Sequence, residues 1–191
     1  MTDTQVTIVV VPRERFSYTS RSLQSIYENT DIPFSLVYVD GGSPARIRRY
    51  LAQKARQHNF KLIRTKRYLS PNLARNLGLQ QVESKYVVFV DNDVLVSPGW
   101  LKVLVDCAEK TGAWVVSPLT LIGETGSQSI HAAGGTVNIK EERGQRVFET
   151  NHLCWKVTSG FRLCLASPGN GACRVSLHVD THGGVPSSWS L

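Results

Sequence analysis

The sequence predicts an α/β fold with a doubly wound, mainly parallel sheet and a poorly ordered C-terminal tail. Two observations carry that prediction. Short apolar, β-branched runs alternate with helix-length stretches whose apolar residues recur at i, i+3 and i+4. Most of the runs also end abruptly in polar or turn-forming residues, the punctuation expected of βαβ units.

The elements follow in order. Val6–Val11 reads as the first strand, ended by Pro12, Arg13 and Glu14. Leu23, Ile26 and Tyr27 mark a helix. Residues 34–39 form the second run, ended by Asp40, Gly41, Gly42, Ser43 and Pro44. Ile47, Tyr50, Leu51 and Ala55 mark the next helix, and residues 60–63 a weaker strand. Leu73 and Leu77 give a shorter helical pattern. Residues 86–90 are almost wholly apolar and fit a strand buried on both faces. Leu101, Leu104, Val105 and Ala108 mark another helix, and residues 113–116 read as a fifth strand. Ser43-Pro44, Ser70-Pro71 and Ser97-Pro98 each precede helical periodicity. Serine at the N-cap accepts a bond from an orphan amide, and proline at the first helical position has no amide to orphan.

Composition narrows the class. With 191 residues and 41% of them hydrophobic, the chain can bury one globular core. It has no apolar run long enough to span a bilayer and no signal-peptide pattern at its start, which makes the cytoplasm the expected compartment. Cys107, Cys154, Cys164 and Cys173 form no C-x-x-C pair, so free thiols are expected instead of a zinc site or disulfide framework. A net charge of +7 suits anionic partners. The basic residues are densest from Arg46 to Arg67, where a solvated helix face accounts for most of them. No RNA-binding aromatic motif accompanies them, so no nucleic-acid partner is expected. Peripheral association with an anionic membrane surface stays open.

The residues that bear chemistry are Asp91 and Asp93, spaced i, i+2 where residues 86–90 end. Open α/β sheets place ligands at that end of their strands. Two carboxylates this close repel unless a cation intervenes, and oxygen ligands suit Mg²⁺ or Mn²⁺ bridging to a phosphate. A polar turn is the alternative, since Asp and Asn favour turns.

Four pieces then occur in order: Val9-Val10-Val11-Pro12; Val37-Tyr38-Val39-Asp40-Gly41-Gly42-Ser43; Ala74-Arg75-Asn76-Leu77-Gly78; and Val88-Phe89-Val90-Asp91-Asn92-Asp93 followed by Pro98-Gly99-Trp100-Leu101. The chain resembles the nucleotide-sugar-binding half of family two glycosyltransferases, with the A-type fold, over roughly residues 5–118. The lack of a G-x-G-x-x-G after the first strand agrees with that resemblance.

The resemblance implies roles. Asp93 would coordinate the metal, Mg²⁺ or Mn²⁺, bound to the diphosphate of a nucleoside-diphosphate sugar, a UDP- or GDP-sugar. Asp91 would contact ribose, sugar or metal, and Asn92 would lie beside it in the donor site. Asp40 would bond the base or ribose. Pro12, Arg13 and Glu14 would wall the base, and Arg75 and Asn76 would line the pocket. Local structure offers another use for several of these: a turn for Asp40, a cap for Asn76, a dipole-favoured helix start for Glu14 and a solvated helix position for Arg75.

The activity implied is sugar transfer with inversion to a glycan, lipid or protein acceptor. That needs a downstream carboxylate base. Glu141, Glu142 and Glu149 look like solvated acids, within strand-like pieces at 136–139 and 146–148 that could pair antiparallel. From about residue 156 the chain is rich in Ser and Gly, with Asp180 as its one acid. The expected organisation is therefore a domain over 1–155 and an atypical tail over 156–191. The tail reads either as a natural short form or as the product of a lost reading frame near Cys154. His178, Asp180 and His182 alternate, as they would on one face of a strand, and Asp180 is the one candidate base there. His131 reads as a surface histidine. Two rival readings stay open: a non-catalytic nucleotide-sugar-binding remnant, and a nucleotidyltransferase.

Overall fold

The computed structural model describes residues 5–13, 15–113, 115–122, 129–133, 135–142, 145–152 and 176–179. The chain forms two units, Met1–Leu101 and Lys102–Leu191.

The first unit is built on four parallel strands: β1 (Val6–Val11), β2 (Ser35–Gly41), β3 (Lys61–Thr65) and β4 (Tyr86–Asp91), in the order β3-β2-β1-β4. Every residue of β1 is buried, as a central strand covered on both faces requires. Helices α1 (Thr19–Asn29), α2 (Ala45–His58) and α3 (Pro71–Leu79) alternate with the strands. On one face Val9, Val11, Val37 and Val39 pack with Ala74 of α3. The approach is close at Gly78, where an added Cβ would stand 2.2 Å from Val9 Cγ1. The opposite residues of the strands, among them Ile8, Val10 and Tyr38, form the buried layer of the other face.

A short strand, β5 (Val94–Val96), follows the acids and packs on α1. Asn29 Nδ2 donates to Val96 O at 2.7 Å, and Val96 N donates to Ser25 Oγ at 3.2 Å. Helix α4 (Trp100–Thr111) begins in this unit. Trp100 is 1% exposed and donates its indole N–H to Thr30 Oγ1 at 2.9 Å.

In the second unit β6 (Leu119–Ile122) pairs antiparallel with β7 (Ser129–Ala133) and parallel with β10 (Ser176–Val179). The expected antiparallel pieces are present as β8 (Gly135–Glu142) and β9 (Gln145–His152), which pair with each other.

Three expectations need correcting. Residues 113, 115 and 116 carry no strand, and Val115 is 83% exposed. Strand β4 is not buried on both faces: it stands at the edge of its sheet, and Phe89 is 39% exposed. Apolar content reports how much a strand can bury, and the neighbours present decide how much it does. Of the Ser-Pro pairs, Ser70-Pro71 caps α3 as expected, with Ser70 accepting from Leu73 N and Pro71 in the first turn. Pro44 instead of Ser43 is the N-cap of α2, and Ser97-Pro98 lies in the turn before α4.

The expected tail boundary and Cys154, Cys164 and Cys173 lie outside the described residues. Cys107 is a free thiol. No helix among the described residues is long and apolar enough to cross a membrane.

Candidate functional site

The candidate site forms at the carboxyl edge of the parallel sheet. β1 and β4 pair through Val11 and Asp91, so Pro12 and Arg13 leave the sheet beside Asp91, Asn92 and Asp93. Strand order also reverses direction at β1, with β2 on one side and β4 on the other. Such a switch point opens a crevice for ligands.

Two arginines hold Asp91. Arg13 Nε lies 3.3 Å from Oδ2, and Arg75 donates from Nη2 to Oδ1 at 3.3 Å. Arg75 also donates to Asn72 Oδ1 at 3.2 Å. All three charged groups are partly exposed, so each pair adds only about 0.2–1 kcal/mol of stability. Their effect is positional: two guanidinium groups are gathered from separate elements at one strand end.

Asp93 differs. Burial raises its carboxyl above the ordinary carboxylate range, and the charge of Asp91 raises it further, against the pull of Arg13 and Arg15. A half-buried carboxylate beside a second acid resists ionisation unless a cation stands close to it. A divalent cation at Asp93 therefore fits the donor chemistry, whereas Asp91 already has cationic partners. Among the described residues no group of three or more His, Cys, Asp or Glu is placed to hold a metal. The protein would supply one or two carboxylates, the pattern in which phosphates and water complete a Mg²⁺ shell.

Asn92, between the two acids, is 1% exposed and turned inward. Its Oδ1 accepts from Arg13 N at 2.6 Å, and its Nδ2 donates to Thr19 Oγ1 at 3.1 Å. Its backbone N–H donates to Val11 O at 3.0 Å. The side chain thus ties the acidic turn to the loop after β1 and to the start of α1. Thr19 in turn hydrogen-bonds Tyr38, whose phenol burial holds well above its ordinary value.

Asp40 ends β2 and is 1% exposed. Oδ1 accepts from Ser43 N at 2.9 Å, which closes a turn. Oδ2 makes no hydrogen bond and faces Arg64 Nε at 3.7 Å. Asp40 is therefore both a turn residue and a buried carboxylate with one oxygen to offer. The two glycines after it are required. A Cβ on Gly41 would stand 2.9 Å from Pro12 Cγ, and Gly42 has φ +84° with the Arg67 and Tyr68 backbone against it.

The structure thus brings together Pro12, Arg13, Arg75, Asp91, Asn92 and Asp93, with Asp40 on the adjoining strand end. It does not bring Asn76 to Asp91: that residue is exposed on α3, and its carbonyl accepts from Gln80 N at 3.3 Å. Glu14, Asp180 and His182 lie outside the described residues. His178 falls on β10, and His131 and Glu141 are exposed in the second unit. Arg64, Thr19 and Tyr38 went unremarked as site residues in the sequence. Only the register that pairs Arg64 with Asp40 could have signalled the first of them.

Comparison with known proteins bears on the family and the fold. The family model for glycosyl transferase family 2 matches residues 7–165. An uncharacterized glycosyltransferase of Rickettsia conorii is 26% identical over 95 residues, covering 50% of this chain and 16% of that protein. One of Rickettsia bellii is 26% identical over 93 residues, covering 49% and 13%. This chain thus spans less than a fifth of the length of either relative. Among solved structures, S. aureus TarS in complex with UDP-GlcNAc has a TM-score of 0.50 at 25% identity, covering 65% of this chain and 36% of that one. The same protein in complex with UDP also has a TM-score of 0.50 at 25% identity, covering 65% and 37%. With the family model matched over most of its length and the sheet and strand ends arranged as above, the chain belongs to glycosyl transferase family 2.

Proposed function

We propose that this chain binds a nucleoside-diphosphate sugar, with a uridine nucleotide as the first to test, at the carboxyl edge of its parallel sheet, and that the activity served is sugar transfer with inversion. One observation carries the reading: Arg13, Arg75 and two carboxylates of different character converge where β1 and β4 end. The TarS structures, with UDP-GlcNAc and with UDP, support the choice of nucleotide.

Each residue has a task in this reading. Asp40 Oδ2 accepts from the base or ribose. Pro12, packed on Gly41, walls the base. Arg13 and Arg75 bring positive charge to the diphosphate, whose charge grows as the sugar leaves. Asp93 would hold Mg²⁺ or Mn²⁺, which would supply further charge to the leaving group. Inversion requires the acceptor hydroxyl to attack opposite the diphosphate, with its proton taken by a carboxylate outside this set.

The test is calorimetric. UDP should bind more tightly with Mn²⁺ than with chelator, by tenfold or more. Asp93→Ala should abolish that difference while leaving the chelator-state affinity nearly unchanged. Equal affinity for UDP with and without metal in the parent protein would overturn the metal role. No measurable UDP binding in either condition would overturn the donor site.

A further inference from the structure

The net positive charge of this chain comes from one stretch. Between Asp40 and Glu83 there are ten basic residues and no acid. The whole chain has 22 basic and 15 acidic residues, so outside this stretch 12 basic residues face 15 acids and the balance is negative. The net charge of +7 arises wholly from α2, β3 and the segments beside them.

The fold gathers part of this charge at the rim of the candidate site. Strands β2 and β3 are parallel neighbours, with Asp40 beside Arg64 and Gly41 beside Thr65. The chain leaving β2 enters α2, whose first turns carry Arg46, Arg48 and Arg49, all exposed. The chain leaving β3 carries Lys66, Arg67 and Tyr68, also exposed, and its backbone packs against Gly42. Arg64 and Arg75 are engaged by Asp40 and Asp91. Among the described residues Arg46, Arg48, Arg49, Lys66 and Arg67 have no carboxylate partner. Two exposed large apolar side chains follow closely in the chain: Tyr68, next to Arg67, and Leu73 in the first turn of α3, each 56% exposed.

We propose that this rim is a docking surface for a bilayer carrying anionic headgroups, with the five cations over the phosphates and Tyr68 and Leu73 entering the interface. Charge complementarity selects a polyanion. The exposed apolar pair selects a lipid surface over nucleic acid, because a phosphodiester backbone gains nothing from leucine, whereas an interface accepts both leucine and the amphipathic ring of tyrosine. Such docking would set the mouth of the candidate site toward the membrane. The attraction acts within about a Debye length, roughly 8 Å at physiological salt.

The test uses the full chain and sedimentation with vesicles. The protein should pellet with phosphatidylcholine vesicles containing about a third phosphatidylglycerol and stay in the supernatant with phosphatidylcholine alone. Replacing Arg46, Arg48 and Arg49 together by Gln should lower partitioning on the order of 100-fold, at roughly fivefold per cation. Tyr68→Ser should lower it severalfold, with a larger share of the loss persisting at raised salt. Thermal unfolding and UDP affinity should be unchanged in the triple variant, which separates this surface from the nucleotide site. Pelleting that ignores vesicle charge would overturn the proposal, as would no pelleting with either vesicle. Displacement from anionic vesicles by stoichiometric duplex oligonucleotide would also overturn it, in favour of nucleic acid.

Discussion

The two ends of the parallel sheet both carry polar groups, yet they differ in what those groups have left to do. At the amino ends of the strands a cavity of about 550 Å³ is lined by residues that include Tyr27, Phe34, His58, Phe60, Lys61 and Gln81. Several of its groups pair with one another. Thr7 Oγ1 bonds Ser84 Oγ at 2.7 Å, Lys61 donates to Gln81, and Tyr27 stacks on His58 with ring centres 4.2 Å apart. Burial pushes the Tyr27 phenol up to about 12, so it carries no charge at neutral pH. At the carboxyl ends the pairing is incomplete: Asp40 keeps a buried oxygen without a hydrogen bond, and Asp93 is raised by burial and by the charge of Asp91. Volume alone does not make a site. Charges that the protein gathers and does not fully satisfy do.

The largest test of that contrast is at Asn92. Asn92→Ala removes the acceptor of the part-buried Arg13 N–H and leaves Thr19 without its buried Asn92 donor, at a cost of about 1–2 kcal/mol in stability. UDP affinity should fall as well, about tenfold, because Arg13 and the acidic turn lose their common tie. Asn92→Asp retains the acceptor for Arg13 N and should recover most of the affinity. Chemical denaturation and calorimetry on both variants check this. A stability loss with affinity untouched would reduce Asn92 to a packing residue.

Asp40→Ala is the next step down. Nucleoside binding should weaken by roughly 1–3 kcal/mol, the usual cost of stranding a polar partner. An affinity unchanged within error would leave Asp40 only its turn with Ser43. The smallest effect is expected at the other end. Lys61→Ala at the amino-edge cavity should change UDP affinity by less than about twofold and stability by less than about 0.5 kcal/mol, as for most exposed substitutions. A tenfold loss there would erase the distinction between the two ends.

Much of this arrangement was legible in the sequence because each signal was local. The runs that became β1, β2 and β4 announce themselves by composition, and the acids by standing where a run stops. Arg13, Arg75 and Asp91 were each named, and the fold joins them. What escaped was set by neighbours. β5 is three residues long and too short to show a period. The role of Asn92 depends on Thr19, 73 positions earlier in the chain. Arg64 gains meaning only from the register of β3 against β2. Residues 113–116 have the composition of a strand, yet 113, 115 and 116 carry none, since apolar content cannot say whether a partner edge is available.

The grip of Arg13 and Arg75 on Asp91 has a thermodynamic consequence. A free arginine surrenders up to about 2 kcal/mol of rotamer entropy when a ligand freezes it. Here the folded chain already orients both toward an internal anion. On the proposed reading, Asp91 would act as a placeholder for the diphosphate. It keeps two flexible cations in position, at the expense of a modest ion-pair exchange on binding instead of a disorder-to-order transition. Association at such a site should show a small entropy change and a weak dependence on side-chain mobility, and Asp91→Ala would convert the same two arginines into flexible ones that must be ordered at every binding event.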